Sequence, residues 1–123
     1  MGDIDSMFYQ VQVPSQDASF LRFLWWEGGE TDKCPTEYQM MVHLFGANSS
    51  PSCANFALRK TAQDCTGLFN DDVIETVLRN FYVDDCLKSL NSTKHAISFS
   101  EDLQAVLSHG VSTYQSGSAT AER

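Results

Sequence analysis

The sequence predicts an α+β fold: an antiparallel sheet with two main helices packed on one face. Residues 1–110 form this single domain and residues 111–123 a flexible C-terminal tail. Three observations lead there. Short runs rich in aromatic and β-branched residues come in pairs across turn-forming segments, Leu21–Trp26 with Glu37–Leu44 and Phe81–Val83 with Cys86–Leu90. Two longer stretches, opening at Ser50-Pro51 and at Ser98, combine helix start signals with apolar residues spaced for one buried stripe. A hydrophobic fraction of 42% and an aromatic fraction of 11% over 123 residues supply one globular core.

Taken in order, Ser6 to Val13 reads as a short turn and then a strand, stopped by Pro14. Ser15-Gln16-Asp17 opens a helix with Ser15 as N-cap. Leu21 to Trp26 is apolar on both faces, which predicts a strand buried on both sides, with Trp25 and Trp26 in core packing or at an edge against further chain. Gly28, Gly29 and Pro35, with Glu27, Glu30, Asp32 and Lys33, mark an exposed loop before the returning strand Glu37–Leu44. Pro51 suits the first turn of a helix, where its missing N–H is an orphan anyway. That helix runs through Cys53, Phe56, Ala57 and Leu58 towards Cys65, and Phe69 to Asp72 form a turn. From Val73 a short helical or extended lead-in reaches the strand at Phe81. Ser98 and Glu101 offer a capping box for a helix carrying Leu103, Val106 and Leu107, ended by Gly110.

Charge and cysteine usage bound the partners. Eight Lys+Arg against sixteen Asp+Glu give a formal net charge of −8, so this chain alone does not grip phosphates by net charge. Cys34, Cys53, Cys65 and Cys86 form no Cys-x-x-Cys pair and no zinc-like spacing, which predicts reduced thiols in an intracellular, cytoplasmic protein. No apolar run is long enough to span a bilayer, and none reads as a signal peptide, so no membrane partner is expected.

The chemistry concentrates in Phe81-Tyr82-Val83-Asp84-Asp85-Cys86-Leu87. An extended aromatic and β-branched run leads into two adjacent carboxylates at a hairpin tip, where a hard divalent cation such as Mg²⁺ relieves their repulsion. A solvated Asp-rich turn is the plain alternative. A third carboxylate, Asp3, opens Asp3-Ile4-Asp5-Ser6-Met7-Phe8, with an aromatic five residues on. A third segment, Phe45-Gly46-Ala47-Asn48-Ser49-Ser50-Pro51, leads into the first long helix.

In this order the three segments resemble motifs A, B and C of reverse transcriptases, and most closely those of BEL/Pao-type long-terminal-repeat retrotransposons. The resembling stretches are Asp3–Val13, Leu21–Trp26, Val42–Leu58 and Asn80–Ser89. The resemblance implies a partial polymerase palm and RNA-directed DNA polymerase activity by two-metal nucleotidyl transfer, as part of a retrotransposon polyprotein or its particle. It implies that Asp3 and Asp84 bridge two Mg²⁺ ions, for which Mn²⁺ substitutes, that Asp85 assists, and that the Ile4 carbonyl completes one site. Phe8 then lies under the incoming sugar as a gate against a 2′-hydroxyl, with an ordinary core phenylalanine as the alternative. Gly46 lets backbone approach the nucleotide, Tyr82 belongs to the nucleotide side, and Asp5 is solvated. The implied partners are a template-primer and a deoxynucleoside triphosphate.

Some positions depart from that pattern. Phe45 stands where many reverse transcriptases carry Gln, and no Lys follows the last helix, leaving His109 as a helix-end residue. Met1 stands two residues before Asp3, and no basic fingers, thumb or RNase H segment is recognised. The expectation is a truncated palm with little polymerase activity in isolation. Two other readings stand beside it. Asp3-x-Asp5 is a metal-holding pattern of some sugar-nucleotide transferases, and a degenerate transposon-derived frame would have no catalytic role or an adopted binding role.

Overall fold

A computed structural model describes the backbone of residues 1–115 and the side chains of residues 1–110. The architecture is α+β, with four helices and two small antiparallel sheets among the described residues. One sheet has three strands in the order β1-β5-β4, where β1 is Gly2–Asp3, β4 is Phe81–Tyr82 and β5 is Asp85–Cys86. The other is a hairpin of β2, Arg22–Trp25, and β3, Thr36–Gln39.

Three helices build the core. Helix α2, Ser50–Asp64, starts with Pro51 in its first turn as the sequence predicts. Its buried stripe is Ala54, Leu58, Ala62 and the following Cys65, at helical spacing, whereas Phe56, expected in that stripe, is exposed. Helix α3, Asp71–Arg79, resolves the uncertain lead-in as a helix. The Asn70 side chain accepts the Asp72 N–H at 2.9 Å, Asp71 and Asp72 sit at the positive end of the helix dipole, and Arg79 sits at the negative end. Its Val73, Ile74 and Val77 meet α2 and helix α4, Thr93–Gln115, through Phe99 and Val106.

The beginning and course of α4 correct the sequence reading. Ser92, not Ser98, caps it, its Oγ accepting the His95 N–H at 3.2 Å, and Ser100 instead donates to the Ile97 carbonyl. Gly110 does not end the helix, which continues to Gln115, so the expected tail is helical in backbone over residues 111–115. Residues 116–123 lie outside the described residues. Gly110 is buried where α4 crosses α2. An added Cβ there would stand 2.6 Å from Thr61 Cγ2 and 2.9 Å from Thr61 Cβ. Close helix approach is what this glycine provides.

Three further expectations change. The predicted strand after Ser6 is a 3₁₀ turn, Met7–Gln10, followed by a single antiparallel bridge between Gln12 and Val42. Ser15 is not a cap: Pro14 holds that position, and α1, Ser15–Ala18, is one turn long. The β2 strand was expected to be buried on both faces, yet all four of its residues are exposed. Two strands make one thin ribbon, and an apolar run on both faces cannot say whether a second layer covers it.

Candidate functional site

The central strand of the small sheet carries the second carboxylate of the tip. β5 pairs with β1 in the register Gly2↔Cys86 and Asp3↔Asp85, and with β4 in the register Phe81↔Cys86 and Tyr82↔Asp85. Directly opposed residues share a face, so Asp3, Asp85 and Tyr82 form one row across three strands. Gly2, Cys86 and Phe81 form the row on the other face. Cys86 is buried and Phe81 packs on the core cluster, so the acidic row faces away from the core. Tyr82 is 79% exposed.

Asp3 and Asp85 are close for a further reason. The Ile4 N–H donates to the Asp84 carbonyl at 3.0 Å, which makes 4/84 a hydrogen-bonded position of the ladder. Asp3 and Asp85 then fall at the alternate position, where opposed Cα atoms stand only about 4.5 Å apart. Two like charges directly opposed destabilise a sheet by roughly 0.2–1 kcal/mol. The tip adds a second strained element: Val83, the first turn residue, has φ 57°, a left-handed conformation that a β-branched side chain rarely adopts.

A basic group just past the acidic tip steadies it. Lys88 Nζ contacts Asp72 Oδ1 at 2.6 Å and Thr76 Oγ1 at 2.8 Å, and lies 4.8 Å from the centre of the Phe99 ring. Its side chain is only 20% exposed. With Asn80, whose carbonyl and amide bond the Leu87 backbone at 3.0 Å each, it ties the strand leaving the tip to α3 and α4. Nothing in the local sequence pattern marks Lys88, because its three partners come from two other elements. Burial pushes the Cys86 thiol up from its ordinary pKa, against the opposing pull of the amino terminus and Lys88. Burial, with Asp64 beside it, does the same for Cys65. All four cysteines are free.

The remaining sequence-predicted residues divide. Phe8 is 6% exposed and belongs to the core cluster, with its ring edge-on to Phe45 at 4.8 Å. Tyr9 meets the same Phe45 ring at 5.8 Å. The turn after Asp3 and the loop before α2 are therefore joined by aromatic contacts across 37 residues of chain (45 less 8). Gly46 has φ 85° with open space around its Cβ position, so conformation rather than crowding requires glycine there. Asp5 is exposed and accepts from the Ser6 hydroxyl at 3.1 Å, outside the acidic row.

As a ligand set for Mg²⁺ the acids fit in donor type and in strand position. The fit stops short of a closed cage: among the described residues no three His, Cys, Asp or Glu side chains group closely enough to hold a metal ion. No helix among the described residues is long and apolar enough to cross a membrane. No family model, no curated protein and no solved structure matches the chain.

Proposed function

We propose that this chain is a polymerase palm of the BEL/Pao reverse-transcriptase type, taking part in RNA-directed DNA synthesis on a template-primer. The observation that supports it is the register: Asp3 and Asp85, 82 positions apart (85 less 3), are directly opposed, with Asp84 hydrogen-bonded to Ile4 beside them. Asp3, Asp84, Asp85 and the Ile4 carbonyl are the proposed Mg²⁺ ligands. When bound, such ions lower the pKa of the attacking 3′-hydroxyl and neutralise charge on the leaving pyrophosphate. The chain's own share is to fix opposed carboxylates on a solvent-facing row and to hold the tip through Lys88 and Asn80. Asp3 is exposed and Asp84 and Asp85 are half-buried, and rotamer changes that leave the backbone in place would turn them towards a common ion. Gly46 stands in the proposal on the nucleotide side, with the buried Phe8 supporting it from the core through its contact with Phe45, the residue before Gly46.

Isothermal titration with Mn²⁺ on the folded chain tests the reading, with circular dichroism recording the fold of every variant. Binding is expected in the wild type and lost on Asp3→Asn and on Asp85→Asn alike. A folded wild type that takes up no divalent ion, or one whose binding survives Asp3→Asn, would sink the metal site.

A further inference from the structure

The hairpin of β2 and β3 carries a second surface that the acidic row does not use. The Met40 N–H donates to the Leu21 carbonyl at 3.0 Å, and the register pairs Phe23 with Tyr38 and Trp25 with Thr36. Residues spaced by two share a face, so Leu21, Phe23, Trp25, Tyr38 and Met40 form one apolar face. The Phe23 and Tyr38 rings stack on it at 5.8 Å. Trp25 is 59% exposed, and Phe20, at the root of the hairpin, is 84% exposed. Two adjoining grooves of about 380 and 470 Å³ share Phe20, Leu21 and Leu44 and carry this apolar surface onto the body of the molecule. A two-stranded ribbon with one aromatic face is marginal by itself and gains from a covering layer.

Charge decides what covers it. Between residues 15 and 45, Asp17, Glu27, Glu30, Asp32 and Glu37 stand against Arg22 and Lys33, five acids to two bases. Arg22 is already paired with Glu37 at 3.1 Å, and Lys33 with Glu30. A second copy of this chain would set acidic rim against acidic rim, within a net charge of −8 on each. Nucleic acid is repelled for the same reason. We propose that the aromatic face of the β2–β3 hairpin docks a segment of another polypeptide that is basic at its rim and apolar at its centre. The ladder also supplies a backbone edge. With 21/40 a hydrogen-bonded position, the N–H and C=O groups of Arg22 and Leu24 point away from β3, open to an added strand. This surface is independent of the metal reading.

Short random peptides displayed on phage, selected on the folded chain and counter-selected on Trp25→Ser, provide the test. Enrichment of peptides with net positive charge and aromatic or aliphatic centres is expected. A synthetic representative should quench Trp25 fluorescence and weaken with added salt. It should lose about 30-fold in affinity on Trp25→Ser, the loss typical of a buried aromatic anchor. Asp32→Lys, which leaves the apolar face intact, should weaken it as well, whereas Asp85→Asn should not. Circular dichroism identifies any variant that fails to fold, and Asp32→Lys then carries the test. Overturning results are no enrichment over Trp25→Ser, enriched peptides without positive charge, or salt-insensitive binding. Dimers in sedimentation that Trp25→Ser dissolves would assign the face to a second copy instead. Quenching of Trp25 by single-stranded RNA would assign it to nucleic acid.

Discussion

Replacing Gly110 with Ala tests the packing that supports the whole core. The added Cβ would meet Thr61 Cγ2 at 2.6 Å and Thr61 Cβ at 2.9 Å. Carbon pairs rest at about 3.5–4.0 Å, so the α2–α4 separation must grow by roughly 0.6 Å at this crossing to relieve the Cβ contact alone. Thr61 has little freedom to turn away. It is β-branched, buried, and its hydroxyl donates to the Ala57 carbonyl at 3.0 Å. Overpacking of this kind costs about 1–3 kcal/mol, and contact with the unmovable Cβ puts this site in the upper half of that range. Better helix propensity returns about 1 kcal/mol. The net loss is about 1–2 kcal/mol, or a fall of roughly 4–8 °C in Tm for a domain of this size. Thermal melts followed by circular dichroism measure it, and the Thr61→Ala background sharpens the reasoning. With Oγ1 and Cγ2 removed, about half of the cost should disappear as a coupling between the two sites. A rise in Tm, or a cost unchanged by Thr61→Ala, would refute the packing argument and return Gly110 to the role of a helix end.

Lys88→Met should cost about 1–2 kcal/mol by loss of a half-shielded charged hydrogen bond and a cation–π contact. Lys88→Arg should recover part of it in urea titrations. Val83→Gly should raise stability by about 0.5–1 kcal/mol, because the left-handed turn position strains a branched side chain more than glycine's extra chain entropy costs. A fall in the urea midpoint would contradict that. Stability should also decline at alkaline pH. Burial raises the folded-state pKa of Cys65 and Cys86, so the folded chain holds these thiol protons more tightly than the unfolded one. Their contribution is complete below the ordinary thiol pKa of about 8.5 and is lost as pH climbs through the raised values. The Cys65→Ala/Cys86→Ala double variant should flatten the slope above about pH 8.5.

Local chemistry was legible wherever one residue decides the local backbone. Pro51 marks the start of α2, and the glycines after Trp26 mark the loop between β2 and β3. Legibility failed where a distant partner decides. Ser98 with Glu101 matches a capping box, but Ser92 already caps the helix and the later signal falls inside it. Gly110 has the composition of a stop signal and the position of a packing contact, and only the crossing with Thr61 separates the two. The apolar run at Leu21–Trp26 is a strand as expected, though burial on both sides required a layer that its pattern could not supply. For the site, it was the resemblance to reverse-transcriptase motifs that implied that the acids belong together. The one-to-one register of Asp3 with Asp85, the strain at Val83 and the hold of Lys88 all required the tertiary arrangement.

The β1 strand is two residues long and attaches to the sheet on one side only. Opening so small an element exposes few groups, so its amide protons should exchange with solvent far faster than those of α2, by a local unfolding that leaves the domain intact. The acid at position 3 is thus presented by the least protected strand while the acids at the tip are anchored through α3 and α4. Any ligand that joins the two sides acts as a clasp, and slowed deuterium uptake at the Ile4 amide would register it without any measurement of turnover.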